Sequence, residues 1–200
     1  MMKYATTVVT EPDDDPLTVP DVKQHLGIAG FVTGHDQWIR RTIAAATSWF
    51  EDYTGRQLIT ATRDLHLDCF PAGRRPLQIP HSPVSSITSI TYLRASDGAS
   101  TAFTDFSLLA GHEPGTVIPT FGNTWPATRD IEQAATVRFV CGYGDLLDVP
   151  SAAKHALLLL IGDWFNNRED SSPVNLRQIP TGVTNLADQF RVGDEFTEYA

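Results

Sequence analysis

Apolar residues recur at helical spacing near both ends of the chain. The N-terminal part has two such stripes, Val19, Val22 and Leu26 in the first and Ile39, Ile43, Ala46, Phe50 and Tyr53 in the second. Thr18 can accept hydrogen bonds from the first-turn amides of one helix, and Asp36 can do the same for the other. Gly27 and Gly55 follow the stripes, as residues that end helices commonly do. The pattern therefore predicts two helices with these ends.

The middle of the chain changes to a period of two. Leu65, Leu67 and Cys69 alternate with Asp64, His66 and Asp68. This alternation predicts a strand whose apolar side is buried and whose polar side faces solvent. Asp97-Gly98 is typical of a hairpin turn between strands. Further strand-like stretches are Val84 to Leu93, Phe103 to Leu109, Thr116 to Pro119 and Val137 to Cys141. Together they predict a module of short antiparallel strands.

Helical spacing returns after Gly142-Tyr143-Gly144. Asp148 can cap the new helix, and Pro150 is tolerated in its first turn. Leu158 and Leu159 extend its apolar surface almost all the way round, so we expect it to be buried on several sides. A shorter helix follows Thr181. The two C-terminal helices are predicted over 149–168 and 182–190.

These patterns predict an α+β fold, in which helices from the two ends of the chain pack into a scaffold and an inserted antiparallel β module projects from it. The expected segments are an N-terminal arm at 1–17, helices at 18–57, the β insertion at 58–141, helices at 142–192 and an acidic tail at 193–200.

The charge balance argues against a protein that grips nucleic acid. The chain has 15 Lys and Arg against 24 Asp and Glu, a formal net charge of −9. Arg40-Arg41 and Arg74-Arg75 are its only basic pairs. Proteins that bind phosphates tightly carry a basic patch, whereas an acidic surface lets DNA pass without sticking. No apolar run is long enough to span a bilayer, which predicts a soluble protein made in the cytoplasm.

The candidate catalytic groups are weak. His66 and Asp68 could be two ligands on one strand face, but a metal site needs a third and a fourth. His112-Glu113 stands beside a Pro-Gly turn and fits a loop tip. We therefore assign no catalytic residue, no metal ligand and no cofactor, and predict that the chain is not an enzyme.

The aromatic residues of the C-terminal part have two interpretations. Trp164 and Phe165 precede a polar helix end, where they either complete a helix core or anchor a neighbouring subunit. Trp and Arg are common among residues that carry the binding energy of interfaces. The candidate interface set is Trp164, Phe165, Arg168, Phe190, Arg191, Val192 and Phe196.

Ordered motifs in both helical parts resemble one family. The N-terminal motifs are Leu17-Thr18, Val22-Lys23, Leu26, Ile43-Ala44-Ala45-Ala46 and Glu51-Asp52-Tyr53-Thr54-Gly55-Arg56. The C-terminal motifs are Phe139-Val140-Cys141-Gly142-Tyr143-Gly144, Val149-Pro150, Ala156 through Leu160, Asp163 through Glu169, and Ile179 through Val183. In this order they resemble the phage head–tail connector (adaptor) proteins of the gp6-like type, in the longer version that has a β insertion.

The resemblance implies a structural job in the neck of a phage or phage-like particle. Members of the family form a ring, typically a dodecamer, beneath the portal. The ring extends the DNA channel and provides a platform for head-closure or tail proteins. It also implies that DNA passes through without specific binding, that no membrane is involved, and that C-terminal elements face the portal. Two alternatives remain open, a small hydrolytic enzyme, possibly acting on carbohydrate, and a minor virion binding module.

Overall fold

A computed structural model describes residues 4–109, 111–167 and 179–192. The chain divides into two compact units. Among the described residues, the helical unit contains 13–59, 143–167 and 179–191, and the β unit contains 4–12, 60–109, 111–142 and Val192.

The described part of the helical unit contains four helices. They are α1 (Val19–Leu26), α2 (Asp36–Thr54), α3 (Ser151–Asn166) and α4 (Thr181–Asp188). Thr18 caps α1 as predicted, since its hydroxyl accepts a bond from the Asp21 amide and the Asp21 carboxylate accepts one from the Thr18 amide. Gly27 and Gly55 end α1 and α2 with φ of 69° at each, a left-handed conformation that glycine adopts without strain.

One apolar core is shared by all four helices. Its fully covered members come from both ends of the sequence and include Val22, Ile39, Phe50, Leu160 and Val183. Tyr143, at the start of the returning chain, donates its backbone N–H to the carbonyl of Leu58, 3.1 Å away. The helices predicted from the two ends of the chain therefore pack together.

A buried lysine holds the connection between α1 and α2. The side chain of Lys23 is 6% exposed, and its ammonium lies 2.6 Å from a carboxylate oxygen of Asp36. It also donates a hydrogen bond to the carbonyl of Gly30, 3.2 Å away. A buried ammonium is costly unless it is paired and hydrogen-bonded, and these two acceptors engage two of its three N–H groups.

Two predicted helix caps are wrong. Asp36 is the first helical residue of α2 rather than its cap, because its carboxylate pairs with Lys23; His35 holds the cap position without a side-chain bond. Asp148 does not cap α3, which begins at Ser151 behind Pro150. Its carboxylate accepts a bond from the Asp145 amide instead, closing a loop before the helix.

Among its described residues, the β unit contains two antiparallel sheets. The first has the order β1-β2-β8-β4-β5 and the second the order β3-β7-β6. The strands are β1 (Tyr4–Thr10), β2 (Ala61–Leu67), β3 (Leu77–Ile79), β4 (Val84–Leu93), β5 (Ser100–Ala102), β6 (Phe106–Leu109), β7 (Gly115–Pro119) and β8 (Ala135–Cys141). Residues of both sheets share one core, which includes Leu65, Ile79, Val117, Phe139 and Trp125. The α+β class with an inserted antiparallel module is confirmed.

The first predicted strand is correct in place but wrong at two positions. β2 ends at Leu67, so Cys69 is exposed instead of buried. Asp64, predicted to face solvent, is only 8% exposed, because Arg138 on the neighbouring strand covers its carboxylate. The segment predicted as an arm also contains β1, which pairs with β2 from Tyr4↔Leu67 onward.

The lysine pair generates a stability prediction. We expect Lys23→Met to lower the free energy of unfolding by about 1–3 kcal/mol, because it leaves the Asp36 carboxylate and the Gly30 carbonyl without their buried partner. The control is Arg94→Ala, which removes an ion pair to Asp97 whose side chains are 47% and 52% exposed. We expect that control to cost under about 1 kcal/mol. Urea unfolding of both variants tests this, and equal losses would contradict it.

Candidate subunit and partner interface

Trp164 and Phe165 lie at the end of α3 and are both half-buried. The Phe165 ring packs edge-on against Trp38, with centroids 5.5 Å apart, and against His35 at 5.9 Å. Trp164 packs on the rim of the helical core. Both rings thus belong to the edge of the helical core and are partly exposed.

Phe190 and Arg191 follow α4. The Phe190 ring lies 5.7 Å from that of Phe50, and its carbonyl accepts a hydrogen bond from the guanidinium of Arg56. The guanidinium of Arg191 lies over the Tyr53 ring, 5.6 Å from the centroid. The Tyr53 hydroxyl donates to Asp188 at 2.7 Å, and this bond is the main reason why the pKa of Tyr53 is raised. These contacts attach the end of α4 to α2.

Three candidates remain, Arg168, Val192 and Phe196. Val192 is half-buried and belongs to the β unit. Arg168 and Phe196 lie outside the described residues. The whole set therefore stays a prediction, with Trp164, Phe165, Phe190 and Arg191 placed in the helical unit.

The residues considered for catalysis occupy ordinary structural positions. His66 lies between two hydroxyls, with Nε2 3.0 Å from Thr7 Oγ1 and Nδ1 3.3 Å from Thr136 Oγ1. Asp68 accepts a bond from the Gln133 amide at 2.9 Å. Both line a shallow open depression of about 150 Å³. His112 and Glu113 are exposed in a loop. Across 4–109, 111–167 and 179–192, no three His, Cys, Asp or Glu side chains cluster as metal ligands.

The polar side of the first sheet contains one strong ion pair. The guanidinium of Arg138 donates two hydrogen bonds to the Asp64 carboxylate, each 2.8 Å long. These bonds are the first cause of the lowered pKa of Asp64, and burial opposes them. A two-point pair of this kind fixes the register between β2 and β8, where the two residues are directly opposite.

The sequence patterns did not predict two exposed apolar side chains of the helical unit or the groove beside one of them. Phe31 is 87% exposed in the loop between α1 and α2, and Leu147 is 89% exposed in the loop before α3. Leu147 stands at the rim of a groove of about 660 Å³ between α1 and α3, which is lined by Leu17, Thr18, Asp21, Gln24, His25, Leu146, Leu147, Lys154 and Leu158. The position of Phe31 between glycines in a predicted loop was the one available signal for an exposed aromatic ring.

The model of a family described as "phage gp6-like head-tail connector protein" matches residues 16–100. Over that range the chain is similar to this connector family. No curated protein matches the chain. No helix among the described residues of the chain has both the length and the apolar character needed to cross a membrane.

Solved structures share the fold of the whole chain. A chain from the neck of an empty gene transfer agent particle, computed with C6 symmetry, is 20% identical with a TM-score of 0.77, over 98% of this chain and 100% of that one. A chain from the virion of the native particle is 21% identical with a TM-score of 0.78, over 98% and 99%. A chain from the native neck, computed with C12 symmetry, is 21% identical with a TM-score of 0.75, over 98% and 100%. At this identity the likeness is one of fold.

The Asp64–Arg138 pair predicts a pH dependence of stability. Because the folded-state pKa of Asp64 is lowered, the pair contributes stability above the unfolded-state value of about 4 and loses it as the pH falls through the folded-state pKa. We expect Asp64→Asn to be less stable than the unmodified chain at pH 7, and the two to converge below about pH 4. Urea midpoints at several pH values measure this, with Asp97→Asn as the exposed-pair control. A difference that stays constant across the range would rule out the pair as its source.

Proposed function

We propose that this chain is a head–tail connector, a structural subunit of the neck of a tailed phage or phage-like particle. Copies of the chain form a ring beneath the portal and extend the DNA channel toward the head-closure or tail proteins. DNA passes through this ring without sequence-specific binding. The observation that carries this proposal is the match of the connector family over 16–100, the range that contains α1, α2, β2, β3 and β4.

The physical character of the chain supports a passive channel and not an enzyme. Its net charge of −9 disfavours lasting contact with DNA phosphates. The His and carboxylate candidates are engaged in hydrogen bonds within the first sheet or exposed on a loop. Neither alternative function, a hydrolytic enzyme or a minor virion binding module, gains an observation in its favour.

The partly exposed apolar surface of α3 supports the proposal that the chain works as a subunit of an assembly. Leu158 and Leu159 remain only partly buried, although the helix is apolar nearly all round. A helix of this composition is normally covered on several sides. We propose that neighbouring subunits or the portal provide the missing cover, and that the C-terminal residues Trp164 to Phe196 contribute to docking.

The ring is tested by native mass spectrometry of the purified chain, alone and co-expressed with the portal. We expect one large cyclic species, or a stable complex with the portal ring. A chain that remains monomeric in both preparations would contradict the proposed function.

The docking role of the C-terminus has its own test. We expect truncation after Phe190 to leave a soluble, folded subunit, because α4 and the Phe190–Phe50 contact are kept. The truncated chain should bind the portal at least tenfold more weakly in a co-purification titration. Unchanged binding would locate the docking surface on other residues.

A further inference from the structure

We propose that the groove between α1 and α3 is the receiving half of the contact between neighbouring copies, and that the Phe31 loop with Arg40 and Arg41 is the inserting half. The proposal rests on the proposed function, since it names the surfaces by which the ring closes. A ring contact joins two different patches of the same chain, one from each neighbour. The helical unit displays two such patches.

The groove has the composition of a protein interface. Leu17, Leu146 and Leu158 provide apolar lining, and the exposed Leu147 stands at its rim. Polar side chains complete the lining, among them Thr18, Gln24, His25 and Lys154. An apolar centre surrounded by polar groups is the usual anatomy of such contacts.

The groove is also edged by acidic residues. Asp21 lines it directly and is exposed. Asp145 and Asp148 flank its loop residues Leu146 and Leu147, and both are exposed. The exposed run Asp13 to Asp15 precedes Leu17, another lining residue. A complementary partner would therefore present an apolar anchor next to positive charge.

Phe31 and the start of α2 present that combination. Phe31 is 87% exposed, and Arg40 and Arg41 are exposed in the second turn of α2. Neither arginine forms an ion pair with a residue in the described part of the chain. Aromatic rings and arginines are the residues that most often anchor interfaces.

The two patches lie on opposite sides of α1. The ammonium of Lys23 reaches the Gly30 carbonyl, next to Phe31, whereas Asp21 and His25 line the groove. Residues two positions apart on a helix point about 200° away from each other. A chain that has the inserting patch on one side of α1 and the groove on the other can repeat head to tail, as a closed ring requires.

Cysteine pairing tests the contact directly. In a Cys69→Ser background, which removes the exposed thiol, Phe31→Cys and Leu147→Cys are made as separate variants with distinguishable tags. The two variants are mixed, assembled and mildly oxidised. We expect disulfides between unlike variants to exceed those between like variants at least tenfold. The matched control is Phe121→Cys mixed with Leu147→Cys, since Phe121 is 94% exposed but belongs to the β unit.

Charge reversal provides a second readout. Arg40→Glu with Arg41→Glu should raise the concentration needed for ring formation at least tenfold, and adding Asp14→Lys with Asp145→Lys should restore much of the loss. Reversing the other basic pair, Arg74→Glu with Arg75→Glu, should leave assembly unchanged. This proposal would be overturned if rings form, the disulfide between the unlike variants is absent, and the reversal of Arg40 and Arg41 does not change assembly. The proposed function would then still stand. A failure to form any ring with or without the portal would overturn both.

Discussion

The shared core of the four helices is the constraint on which the rest of the structure depends. α1 and α2 are separated from α3 and α4 by the whole β module, yet Phe50 and Leu160 are buried in the same core. A single helix cannot bury its own apolar face, and most helix stability in proteins comes from packing that face against other elements. The chain therefore has to return to its first helices after the insertion, and the Tyr143–Leu58 backbone bond marks that return.

Packing between helices that are distant in sequence gives several side chains a structural role within the helical unit. The Lys23–Asp36 ion pair and the Lys23–Gly30 hydrogen bond hold the connection between α1 and α2 in place. Phe31 lies in this connection and is exposed. Phe190 and Arg191 are likewise held against α2. Some candidate interface residues thus have a structural role within the subunit, and a substitution there has to be interpreted for folding as well as for assembly.

The apolar character of α3 links folding to assembly. Ala156, Leu157, Leu160 and Ile161 face the helical core, whereas Leu158 and Leu159 are only partly covered. Apolar surface left at the side of a folded unit is commonly covered by a partner. In a ring subunit the same helix can satisfy both needs, with one side for its own core and the other for a neighbour.

The sequence by itself determined the helices, most of the strands and the α+β class. The reason is local, since stripes such as Ile39 to Tyr53, the Thr18 and Gly27 signals, and the alternation in β8 reflect preferences that short segments express alone. Motif order also indicated the connector family. Tertiary structure decided what depends on distant partners: Asp36 pairs with Lys23 instead of capping, and Asp64 is covered by Arg138. It also decided which apolar residues stay exposed, because the exposure of Phe31 and Leu147 follows from where the rest of the chain packs and not from their neighbours in sequence.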